Sequence, residues 1–550
     1  MTKTVRWPVF EIIRFALARD LRGIGGVLMT KWFIFIACLW AFPASAQGTY
    51  TAATCGYSDV AAAVAAEQAH PVDGDIISIP AGSGSACTWS STLTQTFNNS
   101  VTIQGAGATY STTGGASTAG SDVTIITLNG GGPTMDLTTV AGKSFRITGI
   151  AFVTSVASNT LLTLEGTSTA LRVDHCHFRV TNIALWVSGS MLGVADHIWV
   201  ESPGSNVDTP IAFHNGIGWN GSTEGGTSNA KGDHSWADTE HWGTNQFFFV
   251  EDSRWTGGDI GDGSDAARYV LRYNTIASPS GQMYNHGTTD SRGRGLRAAE
   301  VYHNNYNRTA QASNPAHSTN SGALLYWGNT STNYRYMLQM DYTRKDNSTY
   351  NYGTPPSGWG NCNGTGTFTG WDGPSPGYPC LDQPGRGAGD LLVNDFPTVC
   401  DSTTFPGGCS SFTGSFVHQA LSPVYIWANT YNDAGYSPEG ILTVSGPTAL
   451  LTDNREYYQQ FGTYGESGSF NGTAGVGQGL LSARPSTCTA GPGGNTPGVG
   501  YWATDTNTLY VCNPTNTWTV YYTPYVYPHP LQSSTGTAVA APTGLVATVQ

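Results

Sequence analysis

Apolar residues in this chain recur in a pattern that fits neither a helix nor a straight strand. An aliphatic residue is followed by two variable positions, a small or polar residue, one further variable position and then usually an aromatic. The pattern appears as Val173-Asp174-His175-Cys176-His177-Phe178, Val194-Ala195-Asp196-His197-Ile198-Trp199 and Val250-Glu251-Asp252-Ser253-Arg254-Trp255. It continues as Leu271-Arg272-Tyr273-Asn274-Thr275-Ile276, Val301-Tyr302-His303-Asn304-Asn305-Tyr306 and Ile426-Trp427-Ala428-Asn429-Thr430-Tyr431, and more loosely over Ile147 to Phe152. First positions lie 26 and 21 residues apart along 147, 173 and 194, and 21 and 30 apart along 250, 271 and 301. Buried positions at i, i+3 and i+5 cannot share one side of a straight strand, whose side chains alternate, so a corner must fall between i and i+3. The asparagines after that corner (Asn274, Asn304, Asn429) can bond to turn backbone and to their equivalents in the next coil. One turn per 20 to 30 residues, built of short strands and corners, predicts an all-β parallel β-helix, a solenoid. A propeller or sandwich array would instead show longer blades and regular Asn-Gly hairpin turns.

The flanks extend this reading. From Ser58, an N-cap candidate, the run Val60 to Ala66 is strongly helix-forming and ends before Pro71. It predicts an N-terminal capping helix over the open first coil, whose backbone would otherwise be unpaired. The solenoid is placed at 47–483, with Gly-, Ser-, Thr- and Asn-rich loop insertions at 202–246 and 345–421. Alternating strands at 484–531 predict a small disulfide-tied β cap. The remainder, 532–550, reads as a tail, in which Ala541 to Ala547 is similar to the first strand of a fibronectin type III module.

Composition narrows the class. Only 11% of the 550 residues are charged, where about 25% is usual, and 70 are glycine. Long charged helices are excluded, and 39% hydrophobic content argues against wholesale disorder. Residues 1–46 read as a targeting leader: Lys31 precedes the apolar run Trp32 to Phe42, and Ala44-Ser45-Ala46 fits a cleavage site. Met29 is an alternative start. The apolar run is too short to cross a bilayer, so the expectation is a secreted, extracellular chain with no integral membrane span. Removing the leader takes six basic and two acidic residues with it and leaves 18 against 35, a net −17. Nucleic acid is therefore not an expected partner. Nine cysteines remain. Their separations suggest Cys55 with Cys87, Cys488 with Cys512 and two bridges among Cys362, Cys380, Cys400 and Cys409, leaving Cys176 over. The absence of any Cys-x-x-Cys pair argues against zinc.

Stacked coils bring equivalent positions into columns about 4.8 Å apart. One column is predicted as Asp174, Ala195, Glu251, Arg272 and Tyr302, the next as His175, Asp196, Asp252, Tyr273 and His303. Glu251 and Arg272 belong to adjacent coils, either as an exposed ladder ion pair or as part of a site. In the second reading Glu251, Asp252 and Asp262 would hold Ca²⁺ against an acidic sugar while His286 or Arg272 removes a proton. Asp262 lies in Asp259-Ile260-Gly261-Asp262-Gly263-Ser264-Asp265, a Gly-rich acidic loop suited to a hard cation or simply to polar turns. The loop from Asn285 to Arg297 concentrates His286, Asp290, Arg292, Arg294 and Arg297. Arg294 and Arg297 are the candidate clamps on a substrate carboxylate, which guanidinium binds bidentately. Trp236, His241 and Trp242, with Trp255 and Trp327, are candidate sugar-stacking faces, though the register of Trp255 makes it core.

A helix followed by Gly74-Asp75-Ile76-Ile77-Ser78-Ile79-Pro80-Ala81-Gly82 and then Thr102-Ile103-Gln104-Gly105-Ala106-Gly107 resembles the opening of the pectate-lyase-like right-handed parallel β-helix superfamily of secreted bacterial proteins. Val173-Asp174-His175-Cys176 is similar to the Asp-His segment of pectate lyases. The Arg-x-Pro-x-x-Arg segment of pectate lyases is absent, as are the paired-Asp and Gly-His-Gly segments of polygalacturonases. The resemblance implies depolymerisation of an acidic (uronate) polysaccharide, with a cation-assisted lyase favoured. A glycoside hydrolase using Asp252 and Asp262 is one alternative. A non-catalytic adhesin or glycan-binding β-helix is the other.

Overall fold

The computed structural model describes residues 46–154, 160–202, 211–215, 239–264, 266–278, 281–287, 295–341, 383–389, 419–432, 440–445, 451–462 and 467–533. The leader, Arg294, Trp236, the loop cysteines Cys362, Cys380, Cys400 and Cys409, and the tail beyond Ser533 lie outside the described residues. From Gln47 onward the chain is one compact unit.

That unit is a parallel β-helix. Its first sheet has twelve strands, running from Thr49–Thr51 and Asp75–Ile79 through Ala170–Asp174, Gly193–Asp196, Phe248–Glu251, Arg268–Arg272 and Ala298–Tyr302 to Tyr457–Gln459. Successive strands pair in parallel, each with the next coil. The other strands form two further parallel stacks. One includes Ala151–Thr154, His177–Arg179, Trp199–Glu201 and Arg254–Thr256, the other Met135–Thr139, Thr160–Gly166, Ile183–Ser188 and Gly261–Gly263. The long strands Asn305–Thr319 and Thr330–Asp341 run through both stacks. Each coil therefore has three faces. The interior is filled by Ile103, Ile147, Val173, Ala195, Val250, Leu271 and Val301 from the first sheet, Phe152, Phe178 and Trp255 from the second, and Leu164, Val187 and Phe213 from the third.

The predicted corner is present between the first and second sheets. Its middle residue takes a left-handed conformation at every described coil from His175 onward: His175, His197, Asp252, Tyr273, His303 and Ala428 all have φ between 50° and 56°, and Gly328 has 62°. This conformation turns the chain without breaking the alternation on either side. The residue after it points inward, and there an asparagine ladder forms. Asn274 Nδ2 donates to Asn304 Oδ1, Asn304 Nδ2 to Asn329 Oδ1 and Asn329 Nδ2 to Asn429 Oδ1, at 3.0 to 3.1 Å. Each amide also donates to a strand carbonyl of the preceding coil. Asn329 extends the predicted set, reached from Tyr326 in place of an aliphatic residue.

One coil is registered differently from the sequence pattern. Val173 pairs with Ala195 and not with Val194, so Asp196 stands beside Asp174 and Glu251, and His197 beside His175 and Asp252. Ala195 fills the interior while Val194 faces outward, where a second apolar cluster receives it. The aliphatic residue that marks other coils is here on the outside.

The capping helix spans Tyr57–Gln68, with Gly56 and not Ser58 at its N-cap, and Val60 and Val64 sit in the main core. Disulfides join Cys55 to Cys87 and Cys488 to Cys512, and Cys176 is a buried free thiol. Within the first insertion, Ile211–His214 is a regular strand of the third stack. The C-terminal sheet (Val476–Gly479, Gly500–Ala503, Thr508–Cys512, Trp518–Tyr522) lies against the outward side of the first sheet. There Trp502, Leu509, Val511 and Tyr522 pack on Phe249, Val270, Tyr302, Leu325, Trp327 and Trp427. No helix among the described residues is long and apolar enough to cross a membrane.

The ladder makes a measurable demand. Asn304→Ala should cost about 2–4 kcal/mol in urea unfolding, because it strands the buried Leu271 carbonyl and the amides of Asn274. Its exposed neighbour Asn305→Ala should stay within about 0.5 kcal/mol of the parent.

Candidate functional site

The outward side of the first sheet carries the predicted charge column. Pairing places Thr148, Asp174, Asp196, Glu251, Arg272, Tyr302 and Trp327 in one row and Arg146, Arg172, Val194, Phe249, Val270 and Glu300 in a parallel one. Glu251 and Arg272 meet at 2.5 Å, and both are fully buried. The cover is residues 523–533, a strap that follows the C-terminal sheet back along the first sheet. Arg272 donates to the carbonyls of Tyr525 (2.7 Å) and Val526 (2.9 Å) and to the Tyr302 hydroxyl. Glu251 accepts from the His529 amide at 2.7 Å and from the Gln532 side chain. Burial alone would lower the Arg272 pKa, but Tyr302 and Glu251 hold it above the ordinary value. A guanidinium so held does not act as a base in this state.

The predicted site residues fall into three groups that are not brought together. Glu251, Asp252 and Arg272 lie under the strap, where Asp252 accepts from the Gly114 amide (2.8 Å), the Tyr527 hydroxyl (2.6 Å) and Gln532. Arg297 is fully buried and bonded to Glu240 at 2.9 Å. Burial works against the Glu240 charge, but Arg297 and Ser422 outweigh it and bring this carboxyl down to about 2. Trp242 is half-buried with one ring face on Phe247 at the C-terminal sheet, and Trp327 is buried between Tyr302 and Trp427 and offers no open face. Asp262 belongs to the third stack, in register with Ala212 and Tyr284 and facing outward. It meets His286, with Nε2 3.2 Å from its carboxylate. Between Asp252 and Asp262 the chain turns from one face of the coil to another, which separates the three proposed Ca²⁺ ligands and the proposed hydrolase pair. Among the described residues no three His, Cys, Asp or Glu side chains form a group able to hold a metal.

A different constellation assembles at the corner. His175 Nδ1 lies 2.7 Å from Asp174, and His197 Nδ1 lies 3.0 Å from Asp196. The two rings stack at 5.2 Å, nearly parallel, with Tyr110 4.5 Å from His175. Asp174 is completely buried and also binds Arg146 through two bonds of 2.6 and 2.7 Å, while Arg172 grips Asp196 bidentately at 2.9 Å. Burial opposes ionisation of Asp174, but Arg146 and His175 hold its carboxyl far below the usual range. Burial likewise opposes charge on His197, and Asp196 outweighs it and raises that pKa. Each carboxylate fixes one ring nitrogen and leaves Nε2 turned away from it. The rings are 37% and 17% exposed. One wall of this cleft is a hairpin, Tyr110–Ser111 with Thr118–Ala119, whose tip rests on the coil. Gly115, at φ 64°, is required there, because a Cβ would stand 2.2 Å from the Ser253 carbonyl. The strap reaches the next corner residue of the same column, where Tyr527 and Gln532 donate to Asp252. The dipeptides Asp174-His175 and Asp196-His197 carried the signal for this site, but the one-residue misregister at Val194 hid their equivalence.

No family model, curated protein or solved structure matches the chain.

The interface between the first sheet and the C-terminal sheet contains a titrating group. Glu300 is fully buried, accepting from the Gly243 amide (2.7 Å) and the Tyr522 hydroxyl (3.0 Å), and burial pushes it up to about 7. A folded-state pKa above the unfolded 4.5 favours folding fully below pH 4.5, and that contribution is lost as pH rises through about 7. Unfolding free energies of the parent relative to Glu300→Gln should therefore fall by about 3 kcal/mol between pH 4.5 and 7.5.

Proposed function

We propose that the protein is an exported enzyme acting on an acidic polysaccharide laid along the cleft at Asp174-His175 and Asp196-His197. Two disulfides and the leader-like N-terminal residues support export. One observation carries the chemistry: Arg146 and His175 are bound to the same buried carboxylate. A guanidinium and an imidazole are thereby fixed side by side, with Arg146 Nη1 and His175 Nε2 without partners among the described residues.

That pairing suits β-elimination from a uronate. Arg146 grips the substrate carboxylate and acidifies the proton on the adjacent carbon. His175 takes that proton, a C=C bond forms, and the glycosidic C–O bond breaks. The leaving oxygen receives a proton from His197, one coil away and held toward its charged form by Asp196. A divalent cation bound with the substrate would assist the same carboxylate. The resemblance to pectate-lyase-like β-helix proteins points in the same direction.

Full-length protein incubated with a panel of uronate polymers should generate absorbance from unsaturated chain ends. His175→Ala should reduce the rate by about 10²-fold or more while leaving the melting transition in place. New reducing ends without that absorbance would indicate a hydrolase. Binding without either product would make the protein a glycan-binding module, and loss of signal with chelator would identify a required cation.

A further inference from the structure

The strap, residues 523–533, meets the first sheet as a hydroxyl-bearing acidic ligand would, donating to Glu251 and Asp252 and accepting from arginines. Four of its main-chain carbonyls accept from buried guanidinium groups: Tyr525 and Val526 from Arg272, Leu531 and Gln532 from Arg172, at 2.7 to 3.1 Å. Both arginines have one edge committed to a carboxylate of the solenoid, Glu251 and Asp196, and turn the other edge outward. Oxygen acceptors spaced along a chain are what these outward edges require. A polyuronate offers them in stronger, charged form.

The cover is light compared with that of the neighbouring C-terminal sheet. Farther along the same sheet the outward residues are apolar (Leu325, Trp327, Tyr425, Trp427) and are buried under a four-stranded sheet. Over the charged coils the strap has a single short helical turn, Pro530–Ser533, and of residues 523–533 only His529 is buried. Val526 is 55% exposed. Its apolar contacts are few, chiefly Tyr525 and His529 on Phe249 and Tyr527 on Tyr273. Segments with few buried apolar contacts open at lower free energy than the elements they cover. Lifting this one uncovers the outward ring of Phe249 but leaves the interior of the coils closed, and returns Glu251 and Arg272 to water.

We propose that the strap is a stand-in ligand, and that the face beneath it, built on Arg172 and Arg272, is a second carboxylate-binding track which an acidic polysaccharide occupies by displacing the strap. This rests on the function proposed above and extends its cleft across the first sheet. The face is then closed in the resting protein, and the affinity measured for a uronate chain is reduced by the small fraction of molecules whose strap is open.

The test uses the full chain and a uronate oligosaccharide. The double variant Tyr527→Phe, Gln532→Ala loosens the strap without touching either arginine, and titration calorimetry should show binding at least about fivefold tighter than the parent. Hydrogen exchange on the parent, saturated with the same oligosaccharide, should show faster exchange in peptides covering 523–533. Equal affinities together with unchanged or slower exchange would overturn the strap proposal and leave the cleft reading standing. Binding by neither protein would overturn the proposed function, and this inference with it. Faster exchange in the parent supports the proposal even where the double variant fails to fold.

Discussion

In a parallel stack every residue meets its own equivalent, one coil above and one below, at about 4.8 Å. This self-contact governs the molecule. Apolar residues satisfy it by packing, and Asn satisfies it by donating to one neighbour while accepting from the other, so columns of Ile, Val, Phe and Asn extend without conflict. Carboxylates do not satisfy it. Asp174, Asp196 and Glu251 stand on three consecutive coils, and each is neutralised by an arginine from an adjacent coil: Arg146, Arg172 and Arg272. The column is tolerated because it is interleaved.

That interleaving also sets the chemistry. A carboxylate shared by Arg146 and His175 fixes the orientation of both, and an imidazole fixed through Nδ1 presents Nε2. The left-handed corner residue holds its ring outside both sheets, where neither strand covers it. His175 and His197 therefore owe their exposure to the same backbone geometry that closes the coil. A buried carboxylate, an imidazole beside it and a partly exposed guanidinium form a unit that no single strand could supply.

Much of the fold was legible because it is local and repeated. The i, i+3, i+5 pattern marked the corner, Asn274, Asn304 and Asn429 marked the ladder, and short separations marked two disulfides. Val194 misled because a β-branched residue outside and an alanine inside reverse the usual signal, and only the neighbouring coils decide between them. The site was less legible. Glu251 and Arg272 were expected to touch, and they do, but their burial depends on residues more than 250 positions away. Nothing in the run Tyr525 to Gln532 announces that its carbonyls end on guanidinium groups. Asp262 was expected to join Asp252 because it is close in sequence, whereas within one coil ten residues suffice to reach another face.

The strap also has a temporal meaning. The bond its Gln532 carbonyl accepts from Arg172 spans 360 residues, and every coil it crosses precedes it in the chain. Such contacts form late, after the loops between them have been closed by other pairings. A chain emerging from its N-terminus completes the solenoid first and seals the charged face last. Throughout that interval the ladder of acids and arginines must stand on its own pairing, and this is reason enough for each acid to carry an arginine within the solenoid itself.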